Sequence, residues 1–215
     1  MKRLALLLPL LLVFCRGAVS QGWAASPAEE AKLLSVLGLA PGKMVGEIGA
    51  GEGQLSIRVA KAVGSGGRVF ATELAAMRDT LKKSVERAGA RNVEVIEART
   101  TSTGLPDACC DAVFMRDVYH HITAPDEILA DIRRALRPAG RLLIIDFEPR
   151  SFLPAVDGVK ENRRGHGIPM TVLVQELRAS GFDVISQDAA WREDLYAVLA
   201  RPRDGEAPLA LKPLS

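Results

Sequence analysis

The segment from Glu47 to Gly53 combines an acid with three glycines at alternate positions. The apolar run at 44–48 indicates a buried strand before the glycines, and an amphipathic pattern at 54–63 indicates a helix after them. Glycines allow a tight turn and a close approach of the backbone to a ligand. The first turn of the helix offers free N–H groups to an anionic group. The segment therefore predicts the strand, loop and helix that open a βαβ unit with a ligand at the loop.

The spacing of the glycines indicates which ligand the loop takes. A dinucleotide fingerprint, Gly-x-Gly-x-x-Gly, requires its third glycine at position 54, where this chain has Gln54. The observed pattern is instead Glu-x-Gly-x-Gly-x-Gly. It disfavours an NAD-type oxidoreductase, which stays open as an alternative together with a glycine-rich turn that binds nothing.

A second acid stands at the end of the next predicted strand. The strand at 68–74 carries Glu73 about 20 residues after the glycine loop, where an acid can accept hydrogen bonds from both ribose hydroxyls of a nucleoside. The alternative is a solvent-facing glutamate at a strand end.

The fourth predicted strand leads into Tyr119, His120 and His121, three side chains that can carry protons. In doubly wound sheets ligands bind outside the C-terminal strand ends, so this segment and the glycine loop are expected to face one crevice. We expect two adjacent histidines to point in different directions and therefore predict no shared metal site. His166 lies between two glycines, where it can reach a ligand or serve a tight turn. For each histidine, a structural role is the alternative to a catalytic one.

Three segments resemble known sequence motifs. The glycine segment resembles the first motif of class I S-adenosylmethionine (SAM)-dependent methyltransferases. Phe-Met-Arg-Asp-Val-Tyr-His-His, at 114–121, resembles the fourth motif of small-molecule methyltransferases of the ubiquinone/menaquinone-biosynthesis type. The stretch at 136–146 is similar to the helix, Pro-Gly turn and strand of the same family. The resemblance covers roughly residues 28–201 and implies a Rossmann-like α/β fold, with a seven-stranded sheet in the order 3-2-1-4-5-7-6, the last strand antiparallel, and helices on both faces.

The resemblance also implies SAM as cofactor, S-adenosylhomocysteine (SAH) as its product and a small-molecule acceptor. Related enzymes often place an Asp in the loop after the third strand, whereas this chain offers Arg99, Thr100, Thr101 and Ser102. A SAM- or nucleoside-binding protein without turnover is the rival hypothesis. Candidate catalytic residues are His120, His121 and His166, with Tyr119 and Asp146 as orienting groups. The implied cofactor-binding residues are Glu47, Gly49, Ala50, Gly51, Gly53, Glu73, Leu74, Arg99, Thr100, Arg116 and Asp117.

The N-terminal residues 1–20 have the pattern of a secretory signal peptide. A basic start precedes 12 apolar residues, 4–15, and small residues stand at Ala18 and Ser20 before the expected cleavage. The apolar run is shorter than the ~20 residues that a membrane span needs. We therefore predict export to the periplasm or the medium, with an uncleaved anchor as the alternative. The methyltransferase domain is expected at 21–201, and the tail at 202–215 is expected to be mobile.

Charge and cysteine content exclude some partners. Of 28 basic and 26 acidic residues, Lys2, Arg3 and Arg16 leave with the signal peptide, so 25 basic residues face 26 acidic ones. Without a basic excess we expect no nucleic-acid partner. We expect no disulfide between Cys109 and Cys110, because neighbouring cysteines rarely pair. Metal or arsenic binding by this pair stays open beside a turn at a strand entry, and no feature predicts the oligomeric state.

Overall fold

The computed structural model describes residues 25–160, 163 and 165–203. The predicted signal peptide and most of the predicted C-terminal tail lie outside these residues, so both stay predictions. Across the described ranges, no helix is both long enough and apolar enough to span a bilayer.

One seven-stranded sheet organises the chain, in the order β3-β2-β1-β4-β5-β7-β6. Strands β1 to β5 are parallel to one another, and β7 runs antiparallel to both β5 and β6. The predicted order and the predicted antiparallel hairpin are confirmed. The inserted β7 also distinguishes this sheet from the 3-2-1-4-5-6 order of dinucleotide-binding folds. The strands are β1 (Met44–Ile48), β2 (Arg68–Leu74), β3 (Val93–Ala98), β4 (Cys110–Arg116), β5 (Leu136–Asp146), β6 (Phe182–Arg192) and β7 (Leu195–Pro202).

Helices cover both faces of the sheet. Successive side chains of a strand point to opposite faces, so Phe114 of β4 packs with α1 and α2, whereas Met115 packs with α4 and α5. Leu81 of α3 packs against Ala71 of β2. Both faces are therefore buried, as a mostly parallel sheet requires. The helices are α1 (Pro27–Leu37), α2 (Gln54–Val63), α3 (Ala75–Arg87), α4 (Pro125–Ala135) and α5 (Met170–Ala179), and a short 3-10 turn spans Tyr119–His121.

Two strand boundaries differ from the sequence pattern. The Pro-Gly stretch at 137–140 belongs to β5, because Leu136 already pairs with Cys110 before the register shifts at Ala112. Strand β6 continues to Arg192, which pairs with Leu195 across the hairpin. Pairing with neighbouring strands thus moves the start of β5 back to Leu136 and the end of β6 forward to Arg192.

Cys109 and Cys110 form a disulfide with each other, so the expectation of two unpaired cysteines was wrong. The chain turns immediately before the pair, where Ala108 has a φ of 46°. Both cysteines are buried at the start of β4. With its sulfurs joined, the pair offers no thiolate for metal or arsenic binding.

Candidate functional site

The glycine loop connects β1 to α2, and its three glycines differ in how closely other residues pack against them. All three have positive φ: 70° at Gly49, 56° at Gly51 and 78° at Gly53. A Cβ atom at Gly49 would lie 2.6 Å from Val118, and one at Gly53 would lie 2.5 Å from Leu81. A Cβ atom at Gly51 would meet no atom within 4 Å. The outer glycines therefore permit packing, and the central glycine leaves open space above the loop.

Glu47 lies beneath the loop instead of facing the crevice. Its side chain is buried and accepts a hydrogen bond from the Ser56 hydroxyl of α2. Burial raises the pKa of this carboxyl to about 8, against smaller opposing effects of the Ser56 hydrogen bond and of Arg58 and Arg116. Glu47 therefore joins β1 to the first turn of α2, and we assign it to the support of the loop.

Glu73 reaches the loop from the end of β2. One carboxylate oxygen accepts a hydrogen bond from the Gly51 N–H at 2.7 Å, and the other accepts one from the Leu74 N–H at 2.9 Å. The side chain is only partly buried. The carboxylate thus stands beside the central glycine and stays accessible from the crevice.

A cavity of about 280 Å³ opens at the C-terminal ends of β1 to β4. Most of its lining surface is apolar, and Glu73, Arg99 and His121 are its ionisable groups. Six of the predicted site residues line it together: Gly49, Glu73, Leu74, Arg99, Thr100 and His121. The lining residues that the sequence prediction did not include are Ile48, Ala98, Ser102, Thr103, Val118, Ile122, Thr123 and Ile128.

The loop after β3 forms one wall of the cavity and is fixed to α4. Asp131 accepts hydrogen bonds from the Thr103 N–H at 2.7 Å and from the Thr103 hydroxyl. The Arg99 N–H donates to the Ser102 carbonyl at 2.8 Å and closes a tight turn. The loop is therefore held in place. Arg99, Thr100 and Thr101 are exposed, whereas Ser102 is partly buried and its hydroxyl donates to Asp131 at 3.4 Å.

Arg116 and Asp117 do not line the cavity. Arg116 donates to the buried Glu29 carboxylate of α1 at 2.8 Å, and the Trp191 indole N–H donates to the same carboxylate at 3.2 Å. Asp117 has a φ of 62°, and burial together with the nearby Asp146 raises its pKa. The pairing with Glu29 directs Arg116 toward α1, away from the predicted cofactor contact.

Tyr119 was predicted as a catalytic residue, but the structure places it in the core. Its side chain is fully buried, and its hydroxyl donates to the Glu176 carboxylate of α5 at 2.8 Å. Arg163, itself fully buried, donates to the same carboxylate at 3.1 Å. Burial and Glu176 raise the pKa of Tyr119 well above its ordinary value. Tyr119 therefore has a structural role beneath the site. The feature of the sequence that could have indicated this buried group of Tyr119, Arg163 and Glu176 is Glu176, an acid on the apolar face of α5 between Leu173 and Leu177.

The structure brings all three histidines of the chain together at the edge of the cavity. Their ring centroids lie 4.0 Å apart for His120 and His121, 4.9 Å for His120 and His166, and 5.4 Å for His121 and His166. The expectation that adjacent histidines diverge was wrong, because the 3-10 turn carries both rings to the same place. Only His121 lines the cavity.

Each histidine has a different environment. His120 is buried, and its Nδ1 lies 2.8 Å from an oxygen of Asp146 at the end of β5. Nδ1 of His166 lies 3.0 Å from the Pro154 carbonyl oxygen. Partial burial, and then the neighbouring His120 and His166, lower the pKa of His121 to about 4. His121 is therefore neutral at pH 7 and offers a lone pair, but a pKa this low makes it a weak proton acceptor.

Residues 46–144 match the family model described as a methyltransferase domain. The chain is 30% identical over 119 residues to the ubiquinone/menaquinone biosynthesis C-methyltransferase of Pseudomonas putida (strain GB-1), a match that covers 53% of this chain and 45% of that protein. The chain spans about half the length of the curated relatives it matches.

Solved structures show the same fold over most of the described chain. A SAM-dependent methyltransferase from Aquifex aeolicus superposes with a TM-score of 0.69 at 26% identity, over 82% of this chain and 93% of the other. The 1,6-didemethyltoxoflavin-N1-methyltransferase of Burkholderia thailandensis, solved with bound 1,6-didemethyltoxoflavin and SAH, superposes with a TM-score of 0.64 at 24% identity, over 85% of this chain and 80% of the other. By fold, family model and sequence, residues 46–144 are similar to the methyltransferase domain of class I, SAM-dependent enzymes.

Proposed function

We propose that this protein transfers the methyl group of SAM to a small-molecule acceptor bound at the cavity. The observation that carries the proposal is the single cavity that joins Gly49 of the glycine loop, Glu73 of β2 and His121 of the 3-10 turn. A nucleoside-binding half and a neutral imidazole thus share one crevice, at the strand ends where open α/β sheets bind ligands.

The residues around the cavity fit a SAM-type cofactor. Gly51 does not itself line the cavity, but its N–H contacts Glu73, which does, and the open space above it admits a ligand close to the backbone. Glu73 offers a carboxylate to ribose hydroxyls, and the apolar wall with the hydroxyls of Thr100 and Ser102 suits a purine base. The loop offers Arg99, Thr100, Thr101 and Ser102 where related enzymes often place an Asp, so we assign the contact to the base to a hydroxyl group of this loop.

A SAM-type cofactor supplies an electrophilic methyl group, and the chain supplies the positioning. Holding donor and acceptor in line accounts for much of the rate enhancement in reactions of this kind. Apolar lining residues such as Val118 and Ile122 exclude water from the cavity. His121 lines the cavity and is neutral at pH 7, so its imidazole is placed to orient a polar group of the acceptor without adding a charge.

Replacing Glu73 with alanine tests the cofactor site. We expect the affinity for SAH to fall by roughly 10- to 150-fold, since a hydrogen bond to a charged group contributes about 1.5–3 kcal/mol. Glu73 also accepts from the Gly51 N–H, so the variant combines loss of the ribose contact with a looser loop. Calorimetric titration of the wild type and the variant measures the change.

A 2′-deoxy analogue of SAH separates these two effects. If Glu73 binds the 2′-hydroxyl, the substitution weakens the binding of SAH more than that of the analogue, which keeps only the 3′-hydroxyl. Equal losses of affinity for both ligands would mean that Glu73 acts only on the conformation of the loop, and this would contradict its proposed role in binding the ribose. Glu97, exposed at the end of the neighbouring strand β3, gives the control variant Glu97→Ala, which should leave both affinities unchanged.

A further inference from the structure

The histidine cluster, defined as His120, His121 and His166, has features that proton transfer at a single residue does not require. These are the only three histidines of the 215-residue chain. One nitrogen from each lies within 4.8 Å of the other two. Residues from the turn after β4 and from the loop after β5 therefore converge on one point.

The second ring nitrogens of two of these histidines already have acceptors. Nδ1 of His120 faces the Asp146 carboxylate at 2.8 Å, and Nδ1 of His166 faces the Pro154 carbonyl at 3.0 Å. A carboxylate and a carbonyl only accept hydrogen bonds, so each Nδ1 is the donor, and Nε2 of a neutral imidazole then carries the lone pair. In metalloproteins, histidine ligands are oriented in the same way, by a hydrogen bond from the ring nitrogen that does not bind the metal to a carboxylate or carbonyl.

Nε2 of His120 is buried and has no hydrogen-bond partner among the described residues. The His120 side chain is 1% exposed. A buried polar atom without a partner costs free energy, and a cation at this lone pair would offset that cost. The unsatisfied nitrogen is therefore a second and independent indication of a ligand in the cluster.

We propose that His120, His121 and His166 bind a divalent transition-metal ion with an open coordination position toward the cavity. Imidazole nitrogens suit Zn²⁺, Co²⁺, Ni²⁺ and Fe²⁺, and three protein ligands with one open position are typical of catalytic zinc sites. His121 lines the cavity, so the open position faces the space assigned to the acceptor.

The geometry needs only a modest contraction. Nitrogens that surround a tetrahedral zinc ion at about 2.1 Å lie roughly 3.4 Å from one another, compared with the upper limit of 4.8 Å here. His166 has two rotatable side-chain bonds, so its ring can move closer to the other two without a change in the backbone. Main-chain hydrogen bonds from Arg150 to His166 and from Ile168 to Phe147 keep this segment beside β5.

Surrounding charges are consistent with a dication. Asp146 contacts His120 directly, and Asp117 offers an oxygen within 4.8 Å of both. Arg116 and Arg150 are the positive groups that act on Asp117. Both are already paired, Arg116 with Glu29 at 2.8 Å and Arg150 with Asp194 at 2.6 Å, so they compensate the two carboxylates only in part.

Titration of the metal-free full chain with Co²⁺ tests the proposal, because Co²⁺ reports its ligands through visible absorption. We expect saturation at one ion per chain and displacement by Zn²⁺. His166→Ala and His121→Ala remove partly exposed ligands, so neither variant should unfold the chain. Each substitution should weaken Co²⁺ binding by about 10- to 100-fold or more. A loss of that size is typical when a residue that only hydrogen-bonds to a metal ligand is removed.

Asp126→Asn is the matched control, since it removes an exposed carboxylate outside the cluster. The control should bind Co²⁺ as the wild type does. Co²⁺ affinity that is equal in the wild type and both histidine variants, or the absence of saturable binding, would overturn the proposal. The inference rests on the histidine geometry, and metal binding is measured without SAM or an acceptor, so its failure would leave the proposed methyl transfer untouched.

Discussion

Replacing Gly51 with valine is expected to weaken SAH binding by about 100-fold while the sheet stays folded. Gly51 has a φ of 56°, and a Cβ atom there meets no protein atom within 4 Å. The valine side chain therefore projects into the space that the proposed cofactor needs, and overpacking of this kind costs roughly 1–3 kcal/mol. Calorimetry with SAH measures the loss, and far-UV circular dichroism checks the fold.

Gly89→Val provides the matched control for backbone strain. Gly89 has a φ of 63°, it is exposed after α3, and its Cβ position is also open. Both variants place a β-branched residue in the left-handed region of backbone φ and ψ angles, so the backbone strain lowers the stability of each by about the same free energy. SAH affinity should fall only in Gly51→Val, and equal affinities in the two variants would place the cofactor away from the loop.

Replacing Glu47 with glutamine is expected to remove a pH-dependent loss of stability. Burial raises the pKa of Glu47 from 4.5 to about 8. Between these values the unfolded chain releases the proton while the folded chain retains it, so the wild type loses stability as the pH rises from 4.5 to 8. Glutamine does not titrate. The free energy of unfolding of the variant, relative to wild type, should increase by about 3–5 kcal/mol across this window.

Urea unfolding at pH 5, 7 and 9 measures this difference. Glu52→Gln is the control, because Glu52 lies in the same loop with an exposed side chain. Its free energy of unfolding should follow the wild type at each pH. If Glu47→Gln also follows the wild type, Glu47 is ionised in the folded protein, and its assignment as a buried, protonated support is incorrect.

The elements around the glycine loop were predictable because their signals are local. The expected bounds of β1, α2 and β2 agree with the structure, since an apolar run, a glycine cluster and a helical period each act within a few residues. The position of Glu73 beside the crevice follows from its place at a strand end. The sheet order came from the family resemblance, and it is confirmed.

The partners of the site residues were not predictable, because they are distant in sequence. Arg116 binds Glu29 from the first helix, and Tyr119 binds Glu176 from the last. The meeting of His166 with His120 depends on how the chain returns after β5. Such contacts follow from tertiary packing, and neither residue type nor spacing encodes them locally.

The reaction of SAM itself tests the central claim most directly. Wild-type protein, Gly51→Val and Gly89→Val are incubated with SAM and a pool of small metabolites, and mass spectrometry follows SAH and products heavier by one CH₂ group. We predict SAH together with a methylated metabolite for the wild type and Gly89→Val, and a strongly reduced yield of both for Gly51→Val. Tight SAH binding without any methylated product would contradict methyl transfer and favour a protein that binds SAM without turnover.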